Sequence, residues 1–460
     1  MLRTLRDDTL IVFLSDTHIG GDEGHDIFES PEELTALLEE LSAHGGSVEL
    51  VLAGDFFDFL EIGDASNGEN RASVTISRPE YRKLFSALRY FAADDRHRVI
   101  YLPGNHDAEV WWNPAVQKTL REKGLVDEFA LSYAARFESV PERVVYCEHG
   151  NQFDPANTKR DYEDPLDTPL GDHIVTDLTR GMVAAGRITR SLDLRDLNKV
   201  YPLVTIPQWV VGRFFYDLLG RAVTFLLLPL LVGYAAYRVV AYLLTLAHDG
   251  SASFSFWESY RTLPGLQALF AEIAWDAGLL VVAFGLFFLA VRRTAARAVT
   301  SLSLGSPGHR QGVPPPRSPE QEIRGLLTTD RLPPMDRNLP GREIDVFVSG
   351  HTHAPSLSEI RCENGDAAII VNSGCWLRQL QPIQAHFGGP PVFVSNFVQT
   401  HVRIFLGDCG VRVELWEHSK PARVRLRTAE RIAILGRLPA QPAEDTKPRA
   451  RASRELQGAG

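Results

Sequence analysis

Asp16, His18, Asp55, Asn105, His149, His351 and His353 sit in five short polar motifs: Asp16-Thr17-His18, Gly54-Asp55, Gly104-Asn105-His106-Asp107, His149-Gly150-Asn151 and Gly350-His351-Thr352-His353. Each motif follows a short apolar run. Carboxylate, amide and imidazole donors without a thiolate suit hard or borderline divalent ions, with Mn²⁺ first and Fe or Zn²⁺ behind it. A two-metal hydrolase sets its cations roughly 3.5–4 Å apart, clamps a phosphoryl group between them and activates a water. One carboxylate must bridge the ions. Asp55 suits that position because it leaves a strand after a glycine that permits close approach. Asp16, His18 and one histidine of the last motif can complete one ion, and Asn105, His149 and the other histidine the second. His351 and His353, two residues apart, can share a face. A single Asp-x-His or Gly-Asp is usually a turn, so only the ordered series carries weight. His25, His44, His97, His173, His248, His309, His386, His401 and His418 read as surface or satisfied core residues. Asp22, Glu23 and Asp26 read as solvated loop acids near enough to approach the site.

The elements that must position these groups are short. Buried strands are expected over 9–15, 48–53, 99–102 and 144–148, each ending at a motif. Helices are expected over 31–43, with Ser30 as N-cap and Pro31 at the first helical position, and over 80–93. Strands resume at 344–349 and 367–371, with a pair across 391–416. Alternating strands and helices indicate an α/β layered fold, with its site beyond the strand ends.

The chain has 460 residues, 44% apolar and 23% charged, enough for two or three domains with a sizeable core. Its net charge of −10 argues against a general nucleic-acid binder. Cys147, Cys362, Cys375 and Cys409 form no C-x-x-C pair, so neither a zinc knuckle nor a thioredoxin-like motif is present. No motif points to a protein partner. The apolar run Ile11–Leu14 is too short for a signal sequence and leads straight into Asp16, so the catalytic part is expected in the cytoplasm.

The series Asp-x-His, Gly-Asp-x-x-Asp, Gly-Asn-His-Asp, His-Gly, Gly-His-Thr-His resembles the calcineurin-like metallophosphoesterase superfamily, across about half the chain. The resemblance implies a four-layer α/β/β/α sandwich, two sheets flanked by helices. It implies Asp16, His18, Asp55 and His353 on one ion, and Asp55, Asn105, His149 and His351 on the other. It also implies that His106 contacts the phosphate or protonates the leaving group, and that Asp58 orients it. Protein Ser/Thr phosphatases carry Gly-Asp-x-Val-Asp-Arg-Gly and Gly-Asn-His-Glu, whereas this chain has Gly54-Asp55-Phe56-Phe57-Asp58-Phe59-Leu60 and Asp107. The pattern is more similar to the UDP-2,3-diacylglucosamine diphosphatase-like branch, which cleaves a pyrophosphate in a lipid-linked nucleotide sugar. It departs from that branch in His106, where those enzymes usually carry Arg, and in a longer insertion.

That insertion separates His149 from His351. The expected organisation is 1–155 and 343–418 as two parts of one metallophosphoesterase domain, 156–342 as a mostly helical insertion, and 419–460 as a basic, disordered tail. Within the insertion, apolar runs at 222–247 and 275–293 precede a Pro-rich linker at 305–341. Ala222–Ala247 contains one charge, Arg238, and Pro229 as a candidate kink; Ala277–Val291 contains none. As a helix of 26 residues the first run is about 39 Å long at ~1.5 Å per residue, more than the ~30 Å hydrocarbon core. Both runs lie between histidines that must meet, so the number of crossings is even and a hairpin fits. Arg213 and Arg221 precede it and Arg292, Arg293 and Arg297 follow, which places both ends in the cytoplasm. Further basic residues at 180–199 could meet anionic headgroups. The expected protein hydrolyses a phosphodiester or pyrophosphate at the cytoplasmic face of a membrane, with a lipid-linked nucleotide as candidate substrate. The rivals are a soluble phosphodiesterase or nuclease with a helical cap, a hairpin that dips into one leaflet, and a non-catalytic membrane scaffold that keeps the metal site.

Overall fold

The computed structural model describes residues 2–22, 25–63, 69–173, 175–176, 194–248, 264–304, 318–361, 367–386, 389–443 and 447–457. In chain order the strands are β1 (Arg3–Leu5), β2 (Leu10–Leu14), β3 (Val48–Ala53), β4 (His97–Leu102), β5 (Glu128–Phe129), β6 (Tyr133–Phe137), β7 (Val145–Cys147), β8 (Val346–Ser349), β9 (Ser356–Arg361), β10 (Ala367–Asn372), β11 (Trp376–Ile383), β12 (Val392–Leu406), β13 (Gly410–Glu417) and β14 (Arg449–Gln457). They form two sheets. One runs β14-β13-β12-β2-β3-β4-β5, with β11 paired to β12, and the other β1-β6-β7-β8-β10-β9.

Alternation along the central strands builds the layers. Ile11, Phe13, Val51, Ala53, Ile100 and Leu102 meet Val145, Cys147, Val346, Val348, Ile369 and Val371 between the sheets. The intervening Val12, Leu14, Leu50, Leu52 and Tyr101 pack outward on helices α1 (Pro31–Ser42) and α2 (Arg82–Ala92). The far face of the second sheet is covered in the same way by Ile323, Leu326 and Leu327, from a helix described below. The result is the expected four-layer sandwich. Strands buried on both faces read as continuous apolar runs, which is why β2 and β3 were visible in the sequence.

The insertion leaves after β7 and returns into β8, and those two strands are parallel neighbours. Within it, α3 (Ile206–Ala222) continues through a π-helical turn at Val223–Leu227 into α4 (Leu228–His248). Pro229 explains the turn. It lacks an N–H, and its ring excludes the carbonyl of Phe225, so the ladder slips rather than breaks. Helix α5 (Pro264–Leu304) runs beside α4. Arg238, costly in an apolar run, pairs with Glu272 of α5, while Tyr234 bonds Asp276 one turn away. Two helices are long and apolar enough to cross a membrane, over Ile206–Leu244 and Leu269–Val291. The basic residues at 180, 187 and 190, and most of the loop joining the two helices, lie outside the described residues.

Two expectations are corrected. The tail after 419 is not featureless: α7 (Thr428–Ala433) buries Ala433 and is followed by buried Ile434, and β14 pairs antiparallel with β13 and buries Leu456. Its Arg-rich composition resembles disorder, but a charged edge strand needs only its backbone ladder and one apolar anchor. Residues 318–341 are likewise more than a linker. Helix α6 (Pro319–Leu327) starts at a capping box between Ser318 and Gln321, and supplies the three apolar residues on the second sheet. Residues 305–317 lie outside the described residues.

One buried cluster ties β11, β12 and β13 together. His401 and His418 lie 5.1 Å apart between Trp376 and Trp416, and Arg403 stacks on Trp416 at 4.0 Å. Burial, with Arg403 nearby, lowers His418 to about 4. The unfolded imidazole titrates near about 6.5, so the unfolded chain binds more protons between these values. Stability from this group is therefore complete above that upper value and is lost as pH falls toward the lower. The single group should remove about 2 kcal/mol by pH 5, in order of magnitude. Denaturant titrations followed by tryptophan fluorescence should show this slope in the native chain and a shallower one in His418→Gln. An unchanged slope in the variant would refute the assignment.

Candidate metal centre

All five motif loops leave the ends of strands that share an edge. β2, β3 and β4 are parallel, as are β7 and β8, so their C-terminal ends open into one cleft between the sheets. Positive φ angles turn the side chains inward there: Asp16 (53°), His18 (49°), Asp55 (51°), His351 (65°) and His353 (56°). Non-glycine residues seldom accept this conformation, and such strain concentrates where function requires it. Two glycines allow the crowding. A Cβ on Gly54, at φ 85°, would lie 2.4 Å from the His149 ring, and one on Gly104 would lie 2.1 Å from Asp55 Oδ1.

The expected residues converge. Asp16, His18 and His353 form one group with ligand atoms within 4.8 Å of one another, and Asp55, His149 and His351 form another; His18, Asp55 and His106 link them. Asp55 Oδ2 lies 3.2 Å from His149 Nε2 and 3.9 Å from His18 Nε2, while His353 Nε2 lies 3.2 Å from Asp16 Oδ1. Backbone donors steady the carboxylates: His106 N–H donates to Asp55 Oδ1 at 2.8 Å and His351 N–H to Asp16 Oδ2 at 2.9 Å. His106 Nδ1 lies 2.8 Å from Asp58 Oδ1, and the same carboxylate's other oxygen lies 3.3 Å from His18 Nδ1. Asp58 thus faces two imidazoles, one more than expected.

Three observations fit a divalent cation. Asn105 Oδ1, His149 Nε2 and His18 Nδ1 are buried without a hydrogen-bond partner, although such groups are normally satisfied. His149 Nδ1 donates to the Ala53 carbonyl at 2.9 Å, which turns Nε2 toward Asp55 and the cleft. His18 and His353 bring their Nε2 atoms to 3.2 Å, so both rings direct one nitrogen at the same space. The electrostatics agree. Burial opposes charge on His149, but Asp55 and Asp16 outweigh it and raise the ring to about 9; burial likewise opposes His106, and Asp58 and Asp55 raise it to about 10. Burial would raise Asp55 too, yet His149 and His106 hold it well below the usual carboxylate range. The cleft attracts positive charge.

Two supporting acids were overlooked in the sequence. The Asp107 carboxylate accepts from Gly104 N–H, Phe56 N–H and the Tyr101 hydroxyl at 2.6–2.8 Å, and so locks the β3 and β4 loops together. Asp154, at the end of the N-terminal part and not among the expected site residues, lies 3.1 Å from His351 Nε2, and that contact lowers it to about 2. The signal was an acid a few residues after His149-Gly150. Asp22 and Asp26 do not join the site: one accepts from Gly63 N–H and the other binds Arg78 and Tyr81. Glu23 lies outside the described residues.

Residues 9–186 match the family model of the calcineurin-like phosphoesterases. The chain therefore carries a metal-dependent phosphoesterase domain. Four motifs fall inside the matched stretch. The fifth, Gly350–His353, lies beyond it and reaches the same cleft because β8 is the neighbour of β7. No curated protein matches the chain.

Gly104→Ala should force Asp55 to move, because the new methyl would also approach the Asp55 backbone nitrogen to 2.6 Å. Isothermal titration with Mn²⁺ should show affinity at least about tenfold weaker than native, the scale on which support of metal ligands is felt. Native affinity in this variant would show that the close approach is not needed.

Proposed function

We propose that the chain hydrolyses a phosphodiester or pyrophosphate bond, in a substrate with an apolar portion, at the cytoplasmic surface of a membrane. Asp16, His18, Asp55 and His353 would hold one divalent ion, and Asp55, Asn105, His149 and His351 the other. Mn²⁺ is the first choice for this donor set. Bound there, the pair supplies Lewis-acid charge for the phosphoryl oxygens and an activated water. Asp58 keeps His106 oriented and cationic, so its ring can stabilise phosphoryl charge or give a proton to the leaving oxygen. Asp154 fixes the ring of His351, and Asp107 fixes the loop that presents Asn105.

The substrate assignment is carried by a cavity of about 410 Å³ that opens beside His351 and His353. Its walls include Ile27, Phe153, Val200, Tyr201, Pro202 and Leu377, and three of these come from the insertion. A phosphoryl group at the metals would place an attached apolar group there. Such a cavity agrees with the resemblance to the diphosphatase branch that acts on lipid-linked nucleotides.

Exposure supports the membrane. None of the most apolar window of Ile206–Leu244 is buried, and 6% of that in Leu269–Val291. Phe225, Val232, Tyr237, Leu244, Trp275 and Leu286 are each more than half exposed. A soluble cap would bury such a surface against itself. The arginines flanking the hairpin favour cytoplasmic ends.

Asp55→Ala and His149→Ala should each reduce Mn²⁺-dependent hydrolysis of an aryl phosphodiester by about a thousandfold or more, and full activity in either would sink the assignment. His106→Ala should lower kcat by about a hundredfold or more with a smaller change in KM. Carbonate extraction should leave the full chain in the membrane pellet, whereas release to the supernatant would favour the soluble rival.

A further inference from the structure

Although the chain is acidic, it gathers positive charge around a second cavity, of about 660 Å³, at the foot of the apolar hairpin. Arg213 of α3, Arg378 of β11, and Lys420, Arg423 and Arg425 of the segment after β13 line it, against the carboxylates of Glu29 and Asp196. Three of these cations are committed. Arg213 pairs with Glu430 at 3.1 Å, Arg378 with Glu29 at 2.9 Å and Lys420 with Glu33 at 2.8 Å. Arg423 and Arg425 are exposed and have no ion pair or hydrogen bond among the described residues. Ala422 is buried and Leu426 partly buried, while Arg423 and Arg425 both line the cavity. Two cations on one cavity wall without a carboxylate partner favour an anion, and their planar donors match phosphate.

The position is as informative as the charge. Phe214 and Leu218 are exposed on the same helix as Arg213, and Leu218 stands only about 7.5 Å further along it at ~1.5 Å per residue. That rise is close to the thickness of a headgroup layer, roughly 5–8 Å per leaflet. The cavity is also of a size that takes a phosphorylated headgroup.

We propose that this cavity is an anion site, distinct from the metal centre, for the phosphate of a headgroup with net negative charge. Its placement at a membrane surface rests on the membrane reading above; its recognition of phosphate does not. The probes are dihexanoylphosphatidylglycerol, dihexanoylphosphatidylcholine and inorganic phosphate. Each is titrated into the full chain in neutral detergent, with EDTA present to keep divalent ions off the metal residues. The glycerol lipid should bind at least about tenfold more tightly than the choline lipid, and R423Q/R425Q should erase that preference. The variant should keep native Mn²⁺-dependent hydrolysis of a soluble aryl phosphodiester. Phosphate binding much weaker than the glycerol lipid assigns the site to a headgroup, and binding as tight assigns it to free phosphate. Equal binding of the two lipids by the native chain, or a preference that survives in the variant, overturns the proposal. Carbonate release with the preference intact would remove the membrane reading and leave the anion site standing.

Discussion

Burying three carboxylates beside one another is the constraint on which the rest of this structure depends. Asp16, Asp55 and Asp58 are each almost fully buried, and Asp16 and Asp55 act on one another. Ions out of water are costly unless paired and hydrogen-bonded. The fold answers with imidazoles from four loops, backbone N–H groups from His106 and His351, and strained inward turns. Parallel strands are needed because only they deliver successive loops to one edge. The packed layers on both sides keep the strands from relaxing the strained turns.

The same constraint explains what could be read from the sequence. Polar residues placed after apolar runs, in order, were legible because each strand end is a local pattern. The meeting of His149 with His351 was not local; it rested on resemblance, and β7 beside β8 supplies the physical reason. The supporting roles of Asp107 and Asp154 are not legible in the sequence, because an acid near a turn looks ordinary until its partners are known. The strands β1, β6 and β9 were missed for a different reason: they are short or mixed in polarity, and tertiary pairing overrides their weak pattern. In β14 composition misled outright. The first apolar run begins at Ala222, yet the helix begins at Ile206, because Arg213, Asp217 and Arg221 interrupt the hydropathy without interrupting the ladder.

Those three charges show how the insertion is joined to the catalytic layers. Asp217 holds Arg221 one turn ahead and Arg427 from the segment before α7, while Arg213 reaches Glu430. Trp209 packs on Leu380 and Phe393, and Tyr216 on Val392 and Ile434. The base of the hairpin is thus clamped on a polar side and an apolar side, by elements that sequence reading had given to a loose tail.

Because α3 passes into α4 without a loop, the apolar hairpin and the catalytic layers share one rigid axis, roughly 65 Å long at ~1.5 Å per residue. Length along that axis is also rotation about it. One residue added between Tyr216 and Phe225 would advance the outer part by about 1.5 Å and swing it by about 100°. In this chain, spacing that most proteins absorb in a loop is set by helical phase, and the π-helical turn at Val223–Leu227 is the one place described where that phase shifts.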